Sequence, residues 1–564
     1  MTPLSERLST LPGLRPAIGR YLHAYSVMDF RGDLWAGLTV AIVALPLAMA
    51  FAIASGVPPQ AGLFTAIVAG FLISALGGTR LSIGGPTGAY IVVLHAIVVQ
   101  YGIVNLAVAT VMAGVMLLVM GLVRAGDVMK FFPMPIITGF TNGIAVIIFL
   151  SQIRDFVGLP TPLPSDVWHL LPALHTAIPA FKPVTLALAG ACLLLILLWP
   201  KRLNAVLPAP FVALIGSTLL AWGLQLPVET VGSRFGGIPQ GLPPLTPLVF
   251  DIHHFSELLS PAFKIAMLGA IESLLCAVVA DQLTGDRHDA NQELVAQGIA
   301  NIASPLLGGI AATGAIARTA TNIHNGGRTP VAGIIHALSV LLVMLLAAPL
   351  AAYIPLAGLA AILVSVSIKM GDWDIRKAWH YPVRDTFLLA LTFALTVLFD
   401  LTVAIEIGLL LAGVFFIQRM AAQTTIQQLD VGHSHLFEHH SIHGKIIPSG
   451  TLVYRVEGAL FFGAAGKLDE VMQSARANDI HTVIVQLHRM TLLDTSGMLA
   501  LEELALRLTG QQKRLILASV GWEMHALLDE AGVSALLGEA GVQDDLIGAL
   551  AIAQSRAETY QRAE

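Results

Sequence analysis

The chain has 564 residues, of which 55% are hydrophobic and only 12% charged, with a formal net charge of −5. Water-soluble domains carry about 25% charged residues, so these numbers exclude a soluble protein over most of the length. An acidic balance without basic runs excludes a nucleic-acid partner, and the two cysteines, Cys192 and Cys276, lie in apolar runs and offer no disulfide framework.

Residues 1–30 contain no apolar core followed by a small-residue cleavage site, so no removable signal peptide is expected. Arg7, Arg15 and Arg20, with Arg31 just beyond, suggest a cytoplasmic start. The first predicted span is 34–54, kinked at Pro46, and the second is 60–76. The next stretch cannot be an ordinary span. It reads Gly77-Gly78-Thr79-Arg80-Leu81-Ser82-Ile83-Gly84-Gly85-Pro86-Thr87-Gly88-Ala89-Tyr90, and an apolar helix is predicted from about Pro86 to Val99. Spans follow near 105–123, 134–151, 184–199 and 207–223, which makes seven elements. After a Gly/Pro-rich loop come 262–280 and 293–307. A second interrupted stretch follows, Gly308-Gly309-Ile310-Ala311-Ala312-Thr313-Gly314-Ala315-Ile316-Ala317-Arg318, with its helix expected from about Thr313. Spans near 331–350, 354–368, 386–399 and 401–418 complete a second seven. Several are shorter than the ~20 residues of a full span and are expected to be tilted, broken or buried in protein.

The triplet Thr-Gly-Ala occurs in both interrupted stretches, at 87–89 and 313–315. Interrupted segments at corresponding places in two halves point to a transporter binding site. A half-helix beginning inside the membrane leaves its first N–H groups unbonded and its positive dipole end free, and two such ends facing each other attract an anion. Candidate anion-binding residues are therefore Thr87, Gly88, Ala89, Tyr90, Gly314, Ala315, Ile316, Ala317 and Arg318. Gly-rich helix packing is the competing account, but it explains neither Pro86 nor the repeat. Fourteen crossings put both ends on one side. Arg80, Arg124, Lys130, Lys201, Arg202, Arg287, Lys369, Arg376, Lys377 and Arg419 then fall in cytoplasmic turns, with Arg154 and Lys182 as exceptions. That threading inverts the two halves relative to each other.

Composition changes after Arg419. Residues 421–447 read as a polar connector with His433, His435, His439, His440 and His443, whose spacing specifies no metal site. From 448 to 564 the pattern is soluble α/β: strands at 451–456, 481–487 and 514–518, helices at 497–509 and 522–530, and Asp494-Thr495-Ser496-Gly497 where a strand gives way to a helix. The expected domains are 1–30, a transport domain 31–420, a linker 421–447 and a tail domain 448–564.

Two ionisable side chains stand out in the transport domain. Arg318 lies five residues beyond Thr313, so it is expected about one and a half turns into the second half-helix. A charge this deep is a functional candidate able to hold an anion bidentately; reaching the membrane edge is the alternative. Glu272 falls near the middle of a span, where a carboxyl can take and release a proton as its surroundings wet and dry. Static pairing is the alternative. His336 and Glu406 also lie in apolar spans and receive no role. No triad, phosphate loop or metal-ligand spacing suggests an enzyme or a cofactor.

These residues together resemble the SulP (sulfate permease) family of anion transporters, solute carrier family 26. The carriers are Leu45-Pro46-Leu47-Ala48-Met49-Ala50-Phe51-Ala52, Gly62-Leu63-Phe64-Thr65, Gly85-Pro86, Asn291-Gln292-Glu293-Leu294-Val295-Ala296-Gln297-Gly298, the 313–318 segment and a tail similar to a STAS domain. The resemblance implies a seven-plus-seven inverted repeat split into core and gate domains. It also implies an anion held between the third and tenth elements, a core that moves past the gate, a homodimer, and a cytoplasmic STAS domain of unknown partner. It implies that Phe51 lines the pocket. It also implies that Thr495 or Ser496 occupies a phosphorylation position of soluble STAS proteins, against the plainer role of capping. Sodium-coupled relatives carry an oxygen-bearing side chain one turn after the acidic residue, where this chain has Cys276, and sulfur is a poor ligand for a hard cation. The expectation is therefore H⁺ symport of a small anion across the inner membrane. The 314–322 wording resembles the dicarboxylate branch (fumarate, succinate). Sulfate and Na⁺-coupled bicarbonate uptake stay open, as do a nucleobase permease and a STAS signalling scaffold.

Overall fold

The computed structural model describes residues 16–563 apart from 23–24, 130–132, 162, 165–166, 201–202, 204–206, 242–244, 246–254, 375, 377–379, 400, 430–445, 478 and 539. The five connector histidines lie outside the described residues, as do Lys130, Lys201, Arg202 and Lys377. The chain divides into two compact units, Met1–Leu409 and Leu410–Glu564.

The first unit is helical. Its elements are α1 (Val27–Ala54), α2 (Pro59–Leu76), α3 (Tyr90–Leu122), α4 (Met134–Val157), α5 (Pro183–Leu198), α6 (Ala209–Gly223), α7 (Phe255–Thr284), α8 (Ala290–Leu306), α9 (Ile316–His324), α10 (Val331–Ala351), α11 (Leu356–Met370) and α12 (Val383–Leu398), followed by α13 (Leu401–Gln423). Among the described residues, seven helices are long and apolar enough to cross a membrane, and α5, α6 and α11 are shorter apolar helices. Within α3, Gly102 has φ +82°, which only glycine adopts freely. It separates 90–101 from 103–122, so the thirteen helices supply fourteen elements. Apolar residues bury themselves around most of each core helix, and α1 has buried side chains on every face along 44–52.

Packing sorts the helices into two sets. In one, α3 lies on α7 and α8, α10 on α1 and α2, and α8 on α2; in the other, α4 lies on α11 and α12, and α5 on α6 and α11. Small residues set the closest approaches within each set. A Cβ on Gly114 of α3 would sit 2.8 Å from the Gly298 carbonyl of α8, and one on Gly37 of α1 would sit 2.6 Å from the Ala332 carbonyl of α10. In the second set, Gly139 of α4 packs against the Leu389 carbonyl of α12, and Gly358 of α11 against the Ser217 hydroxyl of α6.

Two breaks lie between these helices as β1 (Gly84–Gly85) and β2 (Thr313–Gly314). The helices after them begin later than the sequence suggests, at Tyr90 rather than about Pro86 and at Ile316 rather than about Thr313. In the second stretch Thr313 and Gly314 are extended because they pair with Gly85 and Gly84, a pairing between segments more than 200 residues apart that local propensity cannot register; in the first, Gly88 and Ala89 form a turn before the helix begins.

The second unit carries a five-stranded sheet in the order β3-β4-β5-β6-β7, with β3 (Thr425–Gln428), β4 (Thr451–Leu460), β5 (Thr482–Leu493), β6 (Arg514–Ala518) and β7 (Val542–Gln543). β3 pairs antiparallel with β4, and the other three ladders are parallel. Residues 483–487 are buried on both faces of β5, as expected of a central parallel strand. Helices α14 (Leu468–Ser474), α15 (Thr495–Gly510), α16 (Trp522–Glu530), α17 (Val533–Leu537) and α18 (Leu546–Ala563) cover it. Thr425–Gln428, inside the stretch read as a connector, is an edge strand; β7 and α18 were not expected from the sequence.

Candidate functional site

The two breaks meet. Gly84 stands opposite Gly314 and Gly85 opposite Thr313 in an antiparallel pair. The Ala315 amide donates to the Ile83 carbonyl at 2.8 Å, the Ile83 amide to Thr319 Oγ1 at 2.9 Å, and Asn322 Nδ2 to the Leu81 carbonyl at 3.1 Å. A Cβ on Gly314 would lie 3.0 Å from Cys276 Cβ, and Gly85 has φ +148°. Absent side chains therefore let two extended segments touch where backbone groups would otherwise be orphaned.

Side chains of α8 and α2 hold the pair in place. Glu293 is fully buried and receives five donors. Its Oε2 accepts from the Gly78 amide (3.0 Å), the Thr79 amide (3.1 Å) and Thr79 Oγ1 (2.9 Å). Its Oε1 accepts from Ser273 Oγ (3.4 Å) and Gln297 Nε2 (3.3 Å). Asn301 does the same for the second break. Its Nδ2 donates to the Ala312 carbonyl and its Oδ1 accepts from the Ala312 amide, both at 2.8 Å. Thr65 Oγ1 of α2 accepts from the Ile310 amide at 2.7 Å.

Arg318 is the third residue of α9, in its first turn rather than one and a half turns in, because the helix starts at Ile316. It is 2% exposed. Its Nη2 donates to the Pro86 carbonyl across the two breaks. Its Nη1 has no protein partner among the described residues, and a Cβ on Gly85 would lie only 2.5 Å from it. Glu272 of α7 is partly exposed. Its Oε2 accepts from Thr87 Oγ1 at 2.9 Å, and the Arg318 charge acts on it. Thr87, Glu272 and Arg318 thus gather around the β1–β2 pair.

The remaining sequence candidates divide. Gly88 faces Phe51, Ile148 and Met370: its Cβ would lie 3.5 Å from Phe51 Cε1 and 3.1 Å from Ile148 Cδ1. This places the start of the first half-helix against α1, α4 and α11. Ala89 caps α3. Tyr90 is buried and donates its hydroxyl to the Ile265 carbonyl at 3.1 Å, so that hydroxyl is engaged by α7. Gly314 and Ala315 are buried, whereas Ile316 and Ala317 are exposed beside them. Cys276 Sγ lies 3.1 Å from Thr319 Oγ1 and 3.7 Å from Ser82 Oγ. In the tail, Asp494 is the cap of α15, accepting from the Gly497 amide at 2.8 Å. The hydroxyls of exposed Thr495 and half-buried Ser496 are left out of that role. Sequence reasoning assigned nothing to Glu293, Asn301, Thr319 or His336. Glu293, beside Asn291 and Gln292, carries no clear signal in the sequence, and neither do its five partners.

With this geometry in view, comparisons with known proteins fix the family. Residues 30–392 match the Sulfate permease family, and residues 445–546 match the STAS domain. The chain is 41% identical over 529 residues to YvdB of Bacillus subtilis (strain 168), to which sulfate transport is ascribed by name, covering 92% of this chain and 97% of that protein. It is 36% identical over 403 residues to the bicarbonate transporter BicA of Picosynechococcus, covering 70% of this chain and 71% of that one. The solved transmembrane domain of a cyanobacterial BicA superposes with TM-score 0.62 at 36% identity, covering 67% of this chain and 98% of that one. Murine solute carrier 26 family member A9, in an inward-facing state, matches with TM-score 0.84 at 18% identity, over 98% and 96% of the two chains; that likeness concerns the fold alone. The chain belongs to the sulfate permease (SulP, solute carrier 26) family: a multi-pass membrane anion transporter, not an enzyme, with a C-terminal STAS domain.

Proposed function

We propose that this protein is a secondary active transporter that carries a small oxyanion together with a proton, holding the anion at the meeting point of the two half-helices. The observation that carries this reading is the arrangement of Arg318, Thr87 and Glu272 about the β1–β2 pair. Arg318 supplies a fixed positive charge beside the pair, and the first turns of α3 and α9 add their dipole ends. Glu272 is the coupling group. It has one hydrogen-bond donor and partial exposure, where Glu293 has five donors and none. A carboxylate with many donors keeps its charge, whereas one with few can trade charge for a proton. Cys276 occupies the place next to Glu272 with a thiol rather than an oxygen, which disfavours sodium.

Sulfate is the first substrate to test and bicarbonate the second, following the activities named for YvdB and BicA. Dicarboxylates rest only on the 314–322 wording. Inner-membrane placement with both termini cytoplasmic, a homodimer and an elevator-like movement of the core set belong to the same reading. The test is uptake of labelled sulfate, bicarbonate, fumarate and succinate into proteoliposomes with the interior alkaline, and separately with an inward sodium gradient. One anion is expected to accumulate under the proton gradient, and Glu272→Gln is expected to abolish accumulation while leaving exchange. Accumulation that follows sodium alone would overturn the coupling assignment.

A further inference from the structure

His336 of α10 is fully buried, and neither ring nitrogen has a protein partner among the described residues. Ser74 Oγ of α2 is also buried without a partner, as is Nη1 of Arg318. These atoms belong to one place. Gly70 and Ser74 share a face of α2, and Gly333 and His336 share a face of α10, and the two faces pack together. A Cβ on Gly333 would overlap Ser74 Oγ. A Cβ on Gly70 would lie 3.6 Å from His336 Cε1 and 3.3 Å from the Gly84 carbonyl, while one on Gly85 would lie 2.5 Å from Arg318 Nη1. Four residues without side chains, Gly70, Gly84, Gly85 and Gly333, therefore border the unpartnered atoms and let them come close to one another. Leaving so many polar groups unsatisfied in an interior is strongly unfavourable, and a leucine would pack there at lower cost.

We propose that His336 is a positioning residue for Arg318, joined to it and to Ser74 through buried water. Such water has the two to four polar partners it requires. Arg318 donates through Nη1 towards the acceptor nitrogen of the neutral imidazole, and the other ring N–H donates towards Ser74 Oγ. The guanidinium is then held from two sides, by the Pro86 carbonyl and by His336, and its charge stays fixed at the β1–β2 pair. This inference rests on the reading of Arg318 as part of the anion site.

The experiment compares His336→Leu, His336→Gln, Ser74→Ala and Arg318→Gln in the full-length chain. It measures uptake kinetics in proteoliposomes with labelled sulfate, bicarbonate, fumarate and succinate, together with the unfolding temperature. His336→Leu should lower the unfolding temperature, since it leaves Arg318 Nη1 and Ser74 Oγ without their bridging partner, and raise KM about tenfold with Vmax within about twofold. His336→Gln, which keeps a donor and an acceptor, should return KM to within about threefold of wild type, and Ser74→Ala should fall between. If Arg318→Gln raises KM and His336→Leu does not, the positioning role is wrong and the site reading stands. If the leucine and glutamine variants are equally impaired, bulk rather than polarity matters and the proposal fails. If neither Arg318→Gln nor His336→Leu alters uptake of any of the four anions, the site reading itself fails and this inference falls with it.

Discussion

Two carboxylates, half-buried Glu272 of α7 and buried Glu293 of α8, illustrate how residue chemistry divides the labour. Glu293 has every oxygen occupied: three donors come from the first break and two from neighbouring side chains. Hydrogen bonds to a charged group contribute roughly 1.5–3 kcal/mol each, and a buried donor left unmet costs a further 1–3. Glu293→Gln keeps the shape but turns an acceptor into a donor facing other donors. It should destabilise the protein by about 3 kcal/mol, with coupling retained in whatever folds. Glu272→Gln disturbs one hydrogen bond, from Thr87. Its unfolding temperature should stay near wild type while coupling is lost. Thermal unfolding in detergent, set beside the transport ratio of anion to proton, separates the two. A large destabilisation by Glu272→Gln would instead place it among the structural groups. Position in an apolar run singles out Glu272 in the sequence, whereas Glu293, beside Asn291 and Gln292, is not singled out. Their different roles are not legible there, because the Gly78 and Thr79 donors lie more than 200 residues from Glu293.

At the scale of elements, the breaks were legible because glycine, proline and the Thr-Gly-Ala repeat are local signals. The helices that follow start three to four residues late; in the second stretch Thr313–Gly314 is taken up by pairing with Gly84–Gly85, and pairing across the chain leaves no periodicity. The straps were legible only as polar residues on the α8 sequence. Asn301 is the sharpest case. Its side chain closes a two-way hydrogen bond with Ala312, immediately before β2, and also donates to the Gln297 carbonyl at 2.9 Å. Asn301→Ala leaves the buried Ala312 amide and carbonyl without partners, each costing about 1–3 kcal/mol. The variant should lose about 3 kcal/mol of stability and, because β2 carries the second half-helix, bind anion at least tenfold more weakly. Ligand-induced shifts of the unfolding temperature measure both. Unchanged anion affinity in a destabilised Asn301→Ala would show that the strap supports the fold without setting the site. In the tail, the parallel strands were legible from continuous apolar runs, whereas the short edge strand β3 and two-residue β7 have too few residues to carry a pattern.

The proposed sliding of one helix set past the other is supported by where the transmembrane unit packs most tightly. Its close glycine approaches occur inside a set: α3 on α8 at Gly114 and Gly298, α1 on α10 at Gly37, α4 on α12 at Gly139, α6 on α11 at Gly358. Where Gly88 crosses to α4 and α11, the meeting is through side-chain ends: a Cβ would lie 3.1 Å from Ile148 Cδ1 and 3.9 Å from Met370 Sδ. Interlocked backbones resist sliding, while side-chain contacts exchange more easily, so rigid-body motion of the first set is the cheapest large movement. A moving core would carry α9 with it. Ile316 and Ala317 are exposed at its start while Arg318 and Thr319 are buried. Both native cysteines, Cys192 and Cys276, are buried, so Ala317→Cys introduces one reactive thiol against a low background. If the core carries the site across, a membrane-impermeant maleimide should label Cys at 317 from either face of oriented vesicles. The transported anion should slow labelling at least fivefold, and the direction of the proton gradient should set which face reacts faster. A site that stays in place while gates open around it also gives alternating access. It is distinguished by depth: cysteines placed at Ile316 and at Ile148 would keep one separation in both states, whereas a moving core changes that distance while leaving the Gly114 to Gly298 distance fixed. Distance measurements between spin labels on those two pairs, with and without anion, decide between them.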